Sequence, residues 1–191
     1  MRILLFVLCL TYFAIPSSLD AWKITGIQQD KPIGNGNFYQ LYHFTQPKHF
    51  PVTVHAVILK NQAYHAWLVM QKKNHIQSLM NLSLKQHALI AVNGGFYREN
   101  FLPDGLVIFK SKRQSRFVNN TLLSAVVTIS KTGQFSLYHK GKNYGKPYYA
   151  FQAGPVLVNS YQQQYFSLSK EKRKRSVLIE LQNKTLIILH L

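Results

Sequence analysis

Apolar residues recur at every second position through several short stretches of this chain, which is the period of half-buried strands. Residues 52–59 read V-T-V-H-A-V-I-L and predict a strand. Residues 38–44 predict another, entered from the turn-forming run Gly34, Asn35, Gly36 and Asn37. Residues 22–27 are short and β-prone. Residues 64–70 read as a strand partner for 52–59 across the link at 60–63. Residues 125–129 and 135–138 flank S-K-T-G-Q and predict a hairpin. A last hairpin is predicted from 176–181 and 185–189 around Q-N-K. Further strands are expected at 88–92, 106–109, 148–151 and 156–158. Only residues 76–86 carry a helical period, with Ile76, Leu79, Met80, Leu82 and Leu84 giving a broad apolar face. The pattern predicts one α+β domain, mostly antiparallel strands with few helices.

The first 21 residues differ from the rest. Arg2 precedes an apolar run from 3 to 15, then Pro16, Ser17 and Ser18 lead to Ala21. A positive end, an apolar stretch and small residues are the layout of a signal peptide. Thirteen helical residues span about 20 Å, short of the roughly 30 Å membrane core. The expected organisation is a signal peptide at 1–21 and a domain at 22–191, secreted or periplasmic, with no stable membrane span after cleavage.

Charge narrows the chemistry. Lysine and arginine number 23 against 6 acidic residues, a formal net charge of +17. Such a surplus favours anionic partners. Hydrophobic residues make up 47% and charged residues 15% of the chain, which excludes a disordered polyelectrolyte. The single cysteine, Cys9, lies in the leader, so disulfides and cysteine nucleophiles are excluded from the remaining domain. The eight histidines show no metal-ligand spacing, and no metal or other cofactor is expected. No nucleic-acid module is recognisable, so no specific nucleic-acid partner is expected.

Three stretches carry candidate chemistry. In the first, Asn93, Gly94, Gly95 and Phe96 follow an apolar run, and Tyr97, Arg98, Glu99 and Asp104 come close behind. Glycine N–H groups can face an anion, aromatic rings can pack a sugar, and an arginine can pair with phosphate. A plain strand-turn-strand explains the same residues equally well. In the second, Gln152, Gly154 and Pro155 interrupt an apolar stretch. An edge strand with a bulge is the simpler reading there, because proline cannot donate to a ladder. The third is the run Lys170, Glu171, Lys172, Arg173, Lys174 and Arg175, either a solvated loop or an anion-binding spot. Arg175 opens the strand at 176–181.

N-G-G-F-Y at 93–97, P-D-G-L at 103–106, Q-A-G-P-V-L-V at 152–158 and R-S-V at 175–177 follow one another in an order that resembles the phosphodiester glycosidase family. V-H-A at 54–56 is similar to the start of the bacterial version. The resemblance covers roughly residues 50–190. It implies an α+β hydrolase that removes a sugar from a sugar-1-phosphodiester. It implies that Asn93, Gly94, Gly95 and Phe96 line the pocket, that Gln152 and Gly154 face it, and that Arg175 holds the phosphate. Glu99 and Asp104 are the only local carboxylates for acid or base work. Members of the family continue beyond the R-S strand to an Asp-Gly-Gly motif that this chain lacks, so the domain is expected to lack its C-terminal part. The strand ending at Leu191 is then expected to be an exposed, aggregation-prone edge.

Two functions follow as expectations. One is a secreted hydrolase acting on an anionic sugar-phosphate. The other is a non-catalytic binder of anionic glycans or phosphorylated envelope polymers at the same pocket.

Overall fold

Alternation along 38–45 and 52–59 produces adjacent strands because each can bury one face. In the computed structural model, which describes residues 23–45, 51–60, 63–71, 76–98, 102–160, 162–163 and 176–190, these are β2 (Phe38–Thr45) and β3 (Val52–Leu59). β1 (Lys23–Pro32) pairs with β2, and two register irregularities bend it near Gly26 and Gln29. The chain divides into two compact units, residues 1–63 with 173–191, and residues 64–172.

In the first unit the strands numbered β1, β2 and β3 are joined by β12 (Leu186–His190) and β11 (Ser176–Glu180), in the order β1-β2-β3-β12-β11, all neighbours antiparallel. Register places Tyr42 opposite Val54 and Leu189 opposite Ala56. These four, with Phe44 and Ile187, form the buried cluster of one sheet face. Removing the larger of these side chains, such as Phe44, Val54, Ile187 and Leu189, from water is worth about 1.5–3 kcal/mol each. Tyr42 donates its hydroxyl to Gln40 Oε1, and Gln40 Nε2 donates to Asp30 Oδ1 at 3.3 Å.

The final strand corrects an expectation. β12 lies between β3 and β11, and Leu186 to Leu189 are all buried. Both ladders of this apolar strand are satisfied, so it is not an exposed edge. Its position also explains a second correction. Residues 64–70 form no strand, because the edge of β3 away from β2 is taken by β12.

The second unit holds a sheet of order β5-β4-β8-β6-β7. Its strands are β4 (Val107–Phe109), β5 (Lys112–Ser115), β6 (Ala125–Ile129), β7 (Phe135–His139) and β8 (Tyr149–Ala153). The β6–β7 hairpin turns where the sequence predicts it, with Ser130 N and Gln134 O closing the loop at 2.9 Å. Every residue of β6 is buried. β8 is an interior strand between β4 and β6, in unbroken register with β6, so the bulged-edge reading of 151–158 is overturned. Pro155 lies beyond the strand end, where a missing N–H breaks no ladder. A two-residue ribbon pairs β9 (Val158–Asn159) with β10 (Gln162–Gln163).

The one described helix, α1 (Leu79–Lys85), is shorter than its apolar pattern. Ser78 ends it on the N-terminal side by accepting from Asn81 N at 3.2 Å. None of its residues is buried. Residues 88–92 form no strand, and Leu89 is 72% exposed. Among the described residues no helix is long and apolar enough to cross a membrane. The architecture is α+β, dominated by antiparallel strands. The leader at 1–21, with Cys9, lies outside the described residues.

Candidate functional site

Gln152 is the point on which the motifs of the second unit converge. It sits on β8, facing Val126 across the ladder, and is 1% exposed. Its Oε1 accepts from Leu106 N at 2.7 Å and Val118 N at 2.8 Å. Its Nε2 donates to Val118 O at 2.8 Å and Leu123 O at 2.9 Å. Gln152 N also donates to Leu106 O at 2.9 Å. The side-chain amide thus has both donors and both acceptor sites in use. It fastens the start of β4 and the 118–123 segment to β8, and its polar atoms are committed to backbone groups.

The N-G-G turn approaches β8 from the side of Phe151. Gly94 and Gly95 lie against the Phe151 ring, and a β-carbon at 95 would overlap the Gln152 carbonyl oxygen. Glycine is therefore required at 95 by close approach. Gly154 leaves β8 with φ +139, and a β-carbon there would meet Leu122 O. The following residues stay close to the same segment, since Val156 N donates to Ser124 Oγ at 2.8 Å.

Beyond the turn the chain doubles back. Arg98 N donates to Leu102 O and Asp104 N to Phe96 O, both at 2.9 Å, and Tyr97 bridges Pro103. This small hairpin carries Asp104 back beside Arg98, whose Nε lies 3.4 Å from Asp104 Oδ1. Both side chains are substantially exposed, so the pair is worth about 0–1 kcal/mol and is open to a ligand. Asn93 is exposed, Phe96 is 49% exposed and Tyr97 is 70% exposed.

The structure therefore brings together Asn93, Gly94, Gly95, Phe96, Asp104, Gln152 and Gly154, drawn from three separate stretches. Glu99 and Arg175 lie outside the described residues, as does the basic run at 170–175. Sequence reading missed the Arg98–Asp104 pairing and the part played by Val118 and Leu123. A six-residue spacing hinted at the first. No local signal marked the second, because those contacts span 29 and 34 residues. Compared with known proteins, the chain matches no family model, and no curated protein is significantly similar to it.

Proposed function

We propose that this chain is a secreted phosphodiester glycosidase-like hydrolase that releases a sugar from a sugar-1-phosphodiester. The observation that carries this reading is the convergence of N-G-G-F, P-D-G-L and Q-A-G-P on one point around Gln152. Those are the motifs of the resemblance, and they meet although up to 46 residues separate the hydrogen-bonded partners.

In the proposed reaction water adds at the anomeric carbon. The bond from that carbon to the phosphate oxygen breaks, and the phosphomonoester leaves with the bonding electrons. Asp104 takes the proton from water or supplies one to the leaving oxygen. Arg98 and the amides of the N-G-G turn neutralise phosphate charge. Phe96 and Tyr97 offer an apolar wall to the sugar ring. Gln152 is a positioning residue, holding the loops that carry these groups. Arg175 is a further phosphate partner on the strength of the resemblance alone.

The test is incubation of the full chain with the methyl phosphodiester of an α-linked hexose 1-phosphate, reading free reducing sugar. Sugar release that is lost in Asp104→Asn is the expected result. No release from a folded chain overturns the reading.

A further inference from the structure

The second unit carries two open clefts of about 630 and 370 Å³, away from the N-G-G turn. They share Ser111, Tyr144, Lys146 and Pro147 and so form one continuous groove. Each volume is in the range of small-ligand sites, about 300–1,000 Å³. We infer that this groove is a second binding site, which takes a short anionic oligosaccharide.

Register places the groove and the N-G-G turn on opposite faces of the sheet, while the Gln152 side chain, two residues from Ala150, shares the groove's face. Ile108, Ala150, Thr128 and Ser136 share one face of the sheet, since Ile108 and Thr128 both oppose Ala150 and Ser136 opposes Thr128. Ile108, Thr128 and Ser136 line the groove. Phe151, against which Gly94 and Gly95 pack, is the next residue after Ala150 and points to the other face. On the groove's own face, the buried cluster of Leu106, Ile108, Val126 and Ala150 is packed by Phe117, Tyr138 and Tyr144.

The walls are fixed by hydrogen bonds. Lys110 and Ser111 turn between β4 and β5 with φ 51 and 62, the positive pair of a tight hairpin. Ser111 N donates to Tyr148 O at 2.8 Å, tying this turn to the loop opposite. Asn143 Oδ1 accepts from Gly145 N at 2.8 Å and shapes that loop. The groove is thus present before any ligand arrives.

Its charge is positive. Arg113, Lys131 and Lys146 line it, and no described residue forms an ion pair with any of them. Among the described residues of 64–172 there are ten lysines and arginines and one acid, Asp104, which faces Arg98. Three cations around a concave surface select an anion, and the Arg113 fork suits a carboxylate or sulfate.

The neutral lining selects a carbohydrate. Ser111, Ser130, Ser136, Gln134 and Asn143 offer hydroxyls and amides to a polyhydroxylated ligand. Single-stranded nucleic acid would need open aromatic faces for its bases. Here Tyr138 and Tyr144 pack into the core cluster, and Tyr148 meets Tyr149 edge-on at 4.7 Å between centroids.

The experiment is calorimetric titration of the full chain with a sulfated heparin tetrasaccharide, a neutral cellotetraose and a short oligothymidylate. The sulfated tetrasaccharide is expected to bind, and cellotetraose to bind at least about tenfold more weakly. Arg113→Ala and Lys146→Ala should each weaken sulfated-sugar binding about tenfold or more. Lys85→Ala, an exposed cation on α1, should change it less than about twofold. Gly95→Ala addresses the other site, so the two readings fail separately. Equal losses for Lys85→Ala and Lys146→Ala overturn the groove in favour of diffuse charge. Tighter oligothymidylate binding that depends on Arg113 overturns the carbohydrate, and absence of sulfated-sugar binding overturns both.

Discussion

Gly95 lies so close to the carbonyl oxygen of Gln152 that no side chain fits between them. The atom in the way is backbone in an interior strand, which cannot swing aside. Gly95→Ala must therefore displace the N-G-G turn or strain β8. The expected cost is about 1–3 kcal/mol, read as a lower denaturation midpoint, with sugar release reduced as the turn moves. A variant that matches the wild-type midpoint would show that the turn has room to shift.

Gln152→Leu keeps the volume and removes four hydrogen bonds. Leu106 N, Val118 N, Val118 O and Leu123 O would lose their partner in a region where Leu106 and Leu123 are almost fully buried. The expected loss is about 3–5 kcal/mol. Faster amide exchange at Leu106 and Val118 would accompany it. Protection at wild-type levels at both amides would contradict the fastening role of Gln152.

Asp104→Asn separates stability from chemistry. The Arg98 pair is exposed, so stability should change by less than about 1 kcal/mol. If Asp104 is the acid or base of the proposed hydrolysis, the rate should fall about 100-fold or more. Retained turnover would move that role to another carboxylate.

Tyr42 links stability to alkaline pH. Burial, and secondarily the charge of Asp30, push its hydroxyl above the ordinary value near 10. The unfolded chain then loses this proton before the folded one does. Stability from this group is complete below pH 10 and declines as pH rises through the raised folded value. Tyr42→Phe should flatten that decline. At neutral pH it should cost about 1–2 kcal/mol, because Gln40 Oε1 loses its donor. An unchanged slope of stability against pH above 10 would refute the linkage.

Arg175→Ala should weaken phosphodiester turnover about ten- to hundredfold, the worth of a charge-assisted bond to phosphate. Arg173→Ala should do little. Equal effects on kcat/KM would mean that the basic run at 170–175 acts as diffuse charge.

The strands at 52–59 and 125–129 and the two hairpins at 125–139 and 176–190 were legible in the sequence. Alternation and turn residues are local properties, and each of these segments pairs with a neighbour reached by a short turn or through a regular apolar face. The need for glycine at 95 was legible as a place of close backbone approach. Partner choice was not. Residues 64–70 alternate well enough to pair with β3, yet that edge went to β12, which arrives from the far end of the chain. Closing a longer loop costs only slightly more entropy, while β12 brings Leu186, Ile187, Ile188 and Leu189 into burial. The same reason hid the work of Gln152. Its residue type was visible, but the backbone groups it satisfies lie 29 to 46 residues away and became its partners only when the sheet closed around it.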